Sequence, residues 1–202
     1  MNHTEAMLNQ LIPLIREKTQ AAPRVIVALD GRCAAGKSTL GEALAERLNA
    51  ALIHMDDFFL RPAQRTPERL ATPGENIDHE RFLSEVLIPL RENTPCSDRP
   101  FSCMQGELGD PVSVPQKPIT IVEGSYACHP ALRDHYDLRV FLTVDPEEQM
   151  RRLKARNGAY AEVFRTTWIP LEEAYFSACG VEACCDITLK SECAEGIEGI
   201  SK

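Results

Sequence analysis

A glycine-rich segment that ends in lysine and serine constrains this 202-residue chain more than any other part of its sequence. The segment fits the pattern G-x-x-x-x-G-K-[ST], whose backbone N–H groups wrap the phosphates of a nucleotide. With the threonine that follows, its residues are Gly31, Arg32, Cys33, Ala34, Ala35, Gly36, Lys37, Ser38 and Thr39. In this pattern Lys37 supplies a cation to the β- and γ-phosphates, and the Ser38 hydroxyl can ligate Mg²⁺. The segment predicts a nucleoside-triphosphate site, with a glycine turn beside a surface lysine as the alternative.

The residues on both sides of this loop favour the phosphate-binding interpretation. Residues 24–29 form an apolar, β-branched run that is typical of a buried parallel strand. After the loop, Leu40, Leu44 and Leu48 recur every fourth residue, as on one face of a helix. A strand, a glycine loop and a helix in this order place the phosphates at a helix N-terminus, whose partial positive charge attracts anions.

The remaining hydrophobic pattern predicts an α/β protein with five strands and helices between them. The predicted strands are residues 24–29, 51–55, 119–124, 138–144 and 186–189. Helices are predicted over 4–20 and 81–90, and Pro13 should kink the first or mark a new start. The length suits one domain over residues 1–202, with a small, acidic and loosely held tail over about 191–202.

Charge and cysteine usage exclude several classes of function. A net charge of −8 argues against a broad nucleic-acid or anionic-membrane surface. No apolar run approaches the roughly 20 residues of a membrane span, and the N-terminus lacks a signal-peptide layout, so we expect a cytoplasmic protein. The eight cysteines contain no C-x₂-C pair and no zinc-finger spacing with histidine, which favours free thiols.

Two of the predicted strands end in carboxylates. Asp56 and Asp57 follow the second strand, and Glu123 closes the third. Because ligands bind outside the carboxyl ends of parallel strands, Asp56 can orient a hydroxyl, accept its proton or hold Mg²⁺. Glu123 can hold Mg²⁺ as a Walker B-type carboxylate. The alternatives are helix capping by either aspartate and a structural role for Glu123, while His54 is expected to be a packed histidine.

A basic cluster and a proline-rich excursion are predicted to flank the site. Arg151, Arg152, Lys154 and Arg156 place four cations within six residues of an acidic protein. Guanidinium groups suit phosphate oxygens, so we predict a lid over about 150–165, with a solvated helix face as the alternative. Residues 93–118 contain five prolines and two glycines. They predict a hairpin on the substrate side of the site, with a surface loop as the alternative.

Over residues 25–189 these motifs resemble the uridine kinase and phosphoribulokinase family of P-loop kinases, and uridine kinase most of all. The family motif D-S-F-Y matches residues 56–59, N-F-D-H matches 76–79, E-G-I resembles 123–125 and M-R-R-[IL]-K resembles 150–154. The resemblance implies a P-loop NTPase fold in which helices sandwich a five-stranded parallel sheet. It also implies phosphorylation of the 5′-hydroxyl of uridine or cytidine, with ATP and Mg²⁺ as cofactors.

The resemblance also assigns roles to individual residues. It implies that Asp56 is the base that activates the substrate hydroxyl. It also implies that Asp56, Ser38 and Glu123 lie near Mg²⁺ and that Arg152 contacts the nucleotide. The implied substrate contacts are Asp78, which would bind ribose hydroxyls, His79, Phe101 and Arg156. On propensity alone, Asp78 could equally cap the helix that follows it.

The sequence departs from the family in the parts that recognise the base and the phosphates. Ala155 stands where the lid usually carries an arginine, and Arg156 follows one place later. The E-R-G-R motif that follows in the family is missing. The family's Y-D pair in the hairpin aligns with Phe101 and Ser102, and its base-contacting histidine has no counterpart here. Another acceptor, such as pantothenate, nicotinamide riboside or glycerate, therefore stays open. A nucleotide-dependent switch without a small acceptor is a third interpretation.

Overall fold

Five parallel strands form the central sheet of the structure, a computed structural model that describes residues 3–102 and 104–191. In chain order the strands are β1 (Val25–Gly31), β2 (Ala51–His54), β3 (Ser97–Asp98), β4 (Phe101–Ser102), β5 (Glu107–Leu108), β6 (Val112–Ser113), β7 (Ile119–Glu123), β8 (Leu138–Val144) and β9 (Ile187–Ser191). The sheet has the order β2-β7-β1-β8-β9, and every neighbouring pair is parallel. The predicted fold class is confirmed, because the five predicted strands are the five strands of this sheet.

Helices cover both faces of the sheet. They are α1 (His3–Ala21), α2 (Lys37–Leu48), α3 (Pro67–Ala71), α4 (His79–Phe82), α5 (Ile88–Arg91), α6 (Pro146–Asn157), α7 (Ala161–Val163), α8 (Ile169–Cys179) and α9 (Val181–Cys184). Alternate residues of β1 point to opposite faces. Val25, Val27 and Leu29 pack with α1 and α2, whereas Ile26 and Ala28 pack with α4, α5, α8 and α9. The continuous apolar runs of the sequence are thereby explained, since both faces of each strand are buried.

One of the two alternatives predicted for Pro13, a new helix start, is not found, and a kink there stays a prediction. The helix α1 runs through Pro13 as one element rather than starting anew there. Two other prolines, Pro89 and Pro170, each follow a π turn, at Leu83–Leu87 and Phe164–Trp168. A proline lacks the N–H group and clashes with the carbonyl four residues earlier, so a wider turn before it relieves the conflict.

The excursion after α5 folds as a hairpin of two short ladders. β3 pairs with β6 and β4 pairs with β5, both antiparallel. The region predicted as a lid contains the second half of α6, a 3₁₀ turn at Gly158–Tyr160 and the short helix α7. Ser191, which the sequence assigned to a loose tail, instead ends β9 in a buried position. The remainder of that tail, 192–202, lies outside the described residues.

Packing requires a glycine at position 31, independently of the phosphate binding that the sequence predicts. It ends β1 with a φ of +130°, a region that other residues rarely adopt, and a Cβ atom there would lie 2.0 Å from the Leu142 carbonyl oxygen of β8. We expect Gly31→Ala to lower the free energy of unfolding by about 3 kcal/mol or more, or to prevent folding, as measured by urea denaturation.

The matched control for this substitution is Gly180→Ala. Gly180 also has a positive φ, of +59°, but a Cβ atom added there would have no atom of the described residues within 4 Å. That variant should lose only about 1–2 kcal/mol, the cost of a left-handed backbone. Equal losses in the two variants would show that the contact with β8 contributes nothing.

Candidate active site

One cavity of about 1130 Å³ opens at the carboxyl ends of β1, β2 and β7. Its walls include most of the glycine loop after β1, Asp56 after β2 and Glu123 at the end of β7. The parallel sheet brings these groups together, although they are far apart in the chain. Aromatic side chains from the segment between α6 and α8, among them Trp168, line the opposite side.

The glycine loop leads directly into α2, as the sequence predicted. Gly36 lies at the N-cap of α2 with a left-handed backbone, φ +96°. The buried Lys37 ammonium group donates hydrogen bonds to the carbonyl oxygens of Gly31 (2.7 Å) and Arg32 (3.0 Å). Its nitrogen is also 3.4 Å from the Ser125 hydroxyl. The lysine is therefore held over the loop, where it can meet the phosphates.

Not every residue of the loop lines the cavity. The Arg32 guanidinium points to the Glu173 carboxylate at 2.7 Å, and Ala35 is buried in the core. Burial, reinforced by Glu172, raises the pKa of the Cys33 thiol to about 12. Cys33 therefore stays protonated at neutral pH. The loop amides and Lys37 are left as the groups that could bind phosphate.

Two of the three residues predicted to lie near a metal ion, Ser38 and Glu123, are hydrogen-bonded to each other. The Ser38 hydroxyl donates to the Glu123 carboxylate at 3.1 Å. Hydroxyl and carboxylate oxygens are the hard ligands that Mg²⁺ prefers, so this pair fits the ion. His54 Nδ1 lies 2.5 Å from the other Glu123 oxygen, and this contact raises the pKa of His54. With 43% of its side chain exposed, His54 is not the packed histidine expected from the sequence.

Asp56 lies on the cavity wall with an exposed side chain. Although the residue stays accessible from the cavity, the surrounding protein removes part of the hydration of the carboxylate and thereby raises its pKa, while Lys37 acts in the opposite direction. Glu123 and Glu172 raise the pKa further through charge repulsion. A carboxylate with a raised pKa is a stronger base than an ordinary aspartate, which suits proton abstraction.

The arginines of α6 border the same cavity. Arg151, Arg152 and Arg156 all contribute to its wall. Arg152 donates to the Ala34 carbonyl oxygen in the loop (3.1 Å) and to the Glu148 carboxylate (2.7 Å). The contact with Ala34 places the Arg152 guanidinium beside the loop that is predicted to hold the phosphates. Closure of a lid over the substrate stays a prediction.

Three of the predicted substrate contacts lie outside the cavity wall. Asp78 caps α4 by accepting from the Arg81 amide, and its backbone N–H donates to Phe58 next to the Asp56 turn. His79 stacks on His129 with 4.2 Å between ring centroids. Phe101 is buried in the hairpin below the Arg65 guanidinium. Their role in substrate binding stays a prediction, whereas Arg156 does line the cavity.

Glu75, His79 and His129 bring three metal-ligand atoms within 4.8 Å of one another. The tautomer of His129 does not fit a metal ion, however. Its Nδ1 accepts a hydrogen bond from the Ala131 amide at 3.2 Å, so the proton of the neutral ring is on Nε2, which faces Glu75. A ligating imidazole shows the opposite pattern and donates its second N–H. The cluster combines a hydrogen bond between Glu75 and His79 with the stacked rings of His79 and His129, and the stacking links α4 to the segment after β7.

Several residues of the site were not among the functional residues predicted from the sequence, although Asn76 begins the segment that matches N-F-D-H. The buried Asp30 carboxylate accepts from the Gly31 amide (2.6 Å), the Cys128 amide (2.8 Å) and the Tyr175 hydroxyl (2.9 Å), and fixes the start of the loop. Burial raises the pKa of Asp30 to about 6. Tyr126 and Asn76 also line the cavity. The Tyr126 hydroxyl and the Asn76 amide nitrogen are both buried. Neither has a hydrogen bond of full geometry within the part of the chain that the structure describes.

The sheet order, the phosphate loop after β1 and the acidic ends of β2 and β7 define the fold of a P-loop kinase. Comparison with protein-family models gave no match, and neither did comparison with curated proteins. Among solved structures, the chain is similar to a possible uridine kinase from Bacillus stearothermophilus, with 18% identity, a TM-score of 0.64 and coverage of 91% of this chain and 99% of the other. The resemblance seen in the motifs is thus confirmed at the level of the fold.

Two further solved structures have the same fold. A candidate fructose transport system kinase from Silicibacter sp. TM1040 shares 23% identity over 83% of this chain and 90% of its own, with a TM-score of 0.65. Phosphoribulokinase from Rhodobacter spheroides shares 15% identity over 83% of this chain and 70% of its own, with a TM-score of 0.59. Among the described residues, no helix combines the length and the apolar character that a membrane span requires.

Proposed function

We propose that this protein transfers the γ-phosphate of ATP to an alcohol group of a small metabolite, and that the acceptor is the 5′-hydroxyl of uridine or cytidine. One observation carries the proposal: Lys37, the Ser38–Glu123 pair and the Asp56 carboxylate line a single cavity. This arrangement supports phosphoryl transfer because it combines a phosphate cradle with a base that can direct a hydroxyl at its end.

Each group has a defined part in the proposed reaction. Asp56 accepts the proton of the acceptor hydroxyl while the hydroxyl oxygen forms a bond to the γ-phosphorus, and the bond to the β-phosphate oxygen breaks to release ADP. Lys37 and the Arg152 guanidinium stabilise the charge on the phosphate oxygens. Ser38 and Glu123 supply oxygen ligands for Mg²⁺, which when bound neutralises charge on the β- and γ-phosphates.

The acceptor side of the cavity suits a molecule that has polar groups and a planar ring. The Asn76 and Tyr126 side chains line this side and interact with each other, but the Asn76 amide nitrogen and the Tyr126 hydroxyl have no hydrogen bond of full geometry within the described residues. Such buried polar atoms are suited to a ligand group. Tyr126 also has a φ of +75°, a strained backbone that is frequent at functional sites. Phe59 and Trp168, with 6.4 Å between ring centroids, provide an aromatic wall. These features support a nucleoside.

A second acceptor class is favoured by the differences from uridine kinase. Phe101, the counterpart of the hairpin tyrosine, is not in the cavity wall, and Ala155 lines the cavity where the family usually has arginine. The same phosphoryl transfer could therefore serve pantothenate, nicotinamide riboside, glycerate or a similar alcohol.

A coupled assay of ADP release over a panel of these acceptors tests the proposal. We expect ADP release to depend on one acceptor, with uridine or cytidine as the first choice. Turnover with pantothenate, nicotinamide riboside or glycerate instead would keep the kinase and replace its substrate. ATP hydrolysis that no acceptor stimulates would contradict the kinase proposal and favour a nucleotide-dependent switch.

The acceptor contacts predict a selective effect of Tyr126→Phe. Loss of the hydroxyl should raise the KM of the acceptor selected by the panel about tenfold and leave the KM of ATP within about twofold, since one uncharged hydrogen bond is removed. Tyr136→Phe is the control, because Tyr136 is also buried without a hydrogen bond within the described residues but does not line the cavity. Equal effects on both KM values would place Tyr126 outside the acceptor site.

A further inference from the structure

A carboxylate from a distant helix lies within the phosphate loop. Glu172 belongs to α8 and is buried, with only 6% of its surface exposed. One of its carboxylate oxygens accepts a hydrogen bond from the Cys33 amide at 3.0 Å. The other accepts from the Ser125 hydroxyl at 2.5 Å, and the oxygen of that hydroxyl is 3.4 Å from the Lys37 ammonium nitrogen. The carboxylate therefore engages one loop amide directly and approaches the loop lysine through Ser125.

These are the same kinds of donors that a nucleotide phosphate uses. Backbone amides of such a loop cradle the phosphates, and the lysine reaches the β- and γ-phosphates. An amide N–H directed at a carboxylate oxygen is not available to a phosphate oxygen at the same time. Because the carboxylate is linked to Lys37, the conflict should be strongest at the γ-phosphate end of the triphosphate.

Electrostatic repulsion adds to this conflict. Asp56 and Glu123 already place two acidic side chains on the cavity wall, and Glu172 is a third. A bound triphosphate would bring several more negative charges next to a carboxylate that is screened little by solvent. The repulsion between Glu172 and Asp56 is already visible as a contribution to the raised pKa of Asp56.

The neighbouring residue allows Glu172 to move without a shift of the helix. Glu173 forms a salt bridge with Arg32, with 2.7 Å between Oε1 and Nε, and so ties α8 to the start of the loop independently. Release of the Cys33 amide would then require a change of the Glu172 side-chain rotamer, with α8 still held by Glu173.

We propose that Glu172 is an intramolecular competitor of the nucleotide for the phosphate loop, which ATP must displace when it binds. This inference rests on the proposed binding of ATP to the same loop. It makes Glu172 a self-inhibitory contact that lowers the affinity for ATP, because the energy of the carboxylate contact is lost when the nucleotide binds. The loop is thereby kept hydrogen-bonded at low ATP concentrations.

The test compares nucleotide affinities of the wild type, Glu172→Gln and Glu173→Gln by isothermal titration calorimetry with ATP and with ADP. Each substitution removes one negative charge from adjacent positions of α8, but only Glu172 contacts the loop amide. We expect Glu172→Gln to bind ATP about tenfold more tightly than the wild type and ADP with a smaller gain. Glu173→Gln should show no such gain. Thermal melting of all three proteins verifies that they are folded.

The other outcomes also decide the question. ATP affinity that is unchanged or weaker in folded Glu172→Gln would overturn the inference and leave Glu172 as a support of the loop. An equal gain in Glu173→Gln would overturn it too, since the effect would then reflect net charge alone. If the wild type binds ATP and Glu172→Gln does not bind it more tightly, only this inference is wrong. Absence of ATP binding in every protein sinks the proposed function as well.

Discussion

Replacing Asp56 with asparagine is expected to lower kcat for phosphoryl transfer by about 10²–10⁴-fold, the usual contribution of a general base. Asparagine has the same shape as aspartate but cannot accept a proton. The Kd of ATP should stay within about threefold of the wild-type value, because Asp56 lies on the cavity wall after β2 rather than in the loop. Steady-state assays with the acceptor selected by the panel and calorimetry with ATP measure the two quantities.

The adjacent Asp57 provides the matched control. Its carbonyl oxygen accepts a hydrogen bond from Arg81, and its side chain is not among the residues of the cavity wall. Asp57→Asn should therefore keep kcat within about threefold of the wild type. If Asp56→Asn turned over at the wild-type rate, or if Asp57→Asn lost as much activity, Asp56 would have no role as the base.

The raised pKa of Asp56 adds a pH dependence to this prediction. Exclusion of water raises this pKa above the ordinary value of an aspartate, with smaller contributions from Glu123 and Glu172, against the opposing effect of Lys37. Only the deprotonated carboxylate can accept a proton, so kcat of the wild type should rise with pH through this pKa. The residual activity of Asp56→Asn should lack this rise.

Replacing Lys37 with alanine is expected to reduce phosphoryl transfer by about 10³-fold or more and to weaken ATP binding by about 10–150-fold. The range of about 10–150-fold for ATP binding corresponds to the roughly 1.5–3 kcal/mol that a hydrogen bond to a charged group contributes. The ammonium group is buried against the loop carbonyls of Gly31 and Arg32, and alanine leaves the phosphates without this cation.

A lysine on the surface of α6 serves as the comparison for this variant. Lys154 is exposed and is not part of the cavity wall, so Lys154→Ala should bind ATP as the wild type does. Circular dichroism spectra verify that both variants are folded. Normal ATP affinity and turnover in Lys37→Ala would count against nucleotide binding by the loop, and with it against the kinase proposal.

The two largest predicted effects separate binding from chemistry. Lys37 lies in the loop that is proposed to hold the phosphates, whereas Asp56 lies on the wall of the same cavity after β2, where it is proposed to direct the acceptor hydroxyl. A phosphotransferase is expected to lose ATP binding and turnover in Lys37→Ala. In Asp56→Asn it should lose turnover alone. A switch without a small acceptor has no reason to need Asp56 as a base.

The sequence by itself determined the glycine loop, the five strands of the sheet and the carboxylates at two strand ends. These features depend on residues close together in the chain: a short motif for the loop and apolar runs for β7 and β8. The meeting of Lys37, Asp56 and Glu123 also follows from the sequence, because the carboxyl ends of parallel strands share one edge of the sheet.

Only the tertiary structure decided which other side chains enter the site. Glu172 lies 139 positions after Cys33, and nothing in the local pattern of α8 predicts their hydrogen bond. The sequence also did not predict three other features: the buried polar groups of Asn76 and Tyr126, the contact between His54 and Glu123, and the place of Phe101 outside the cavity wall. Contacts between distant segments depend on how helices and loops pack over the sheet, which the periodicity of one segment does not encode.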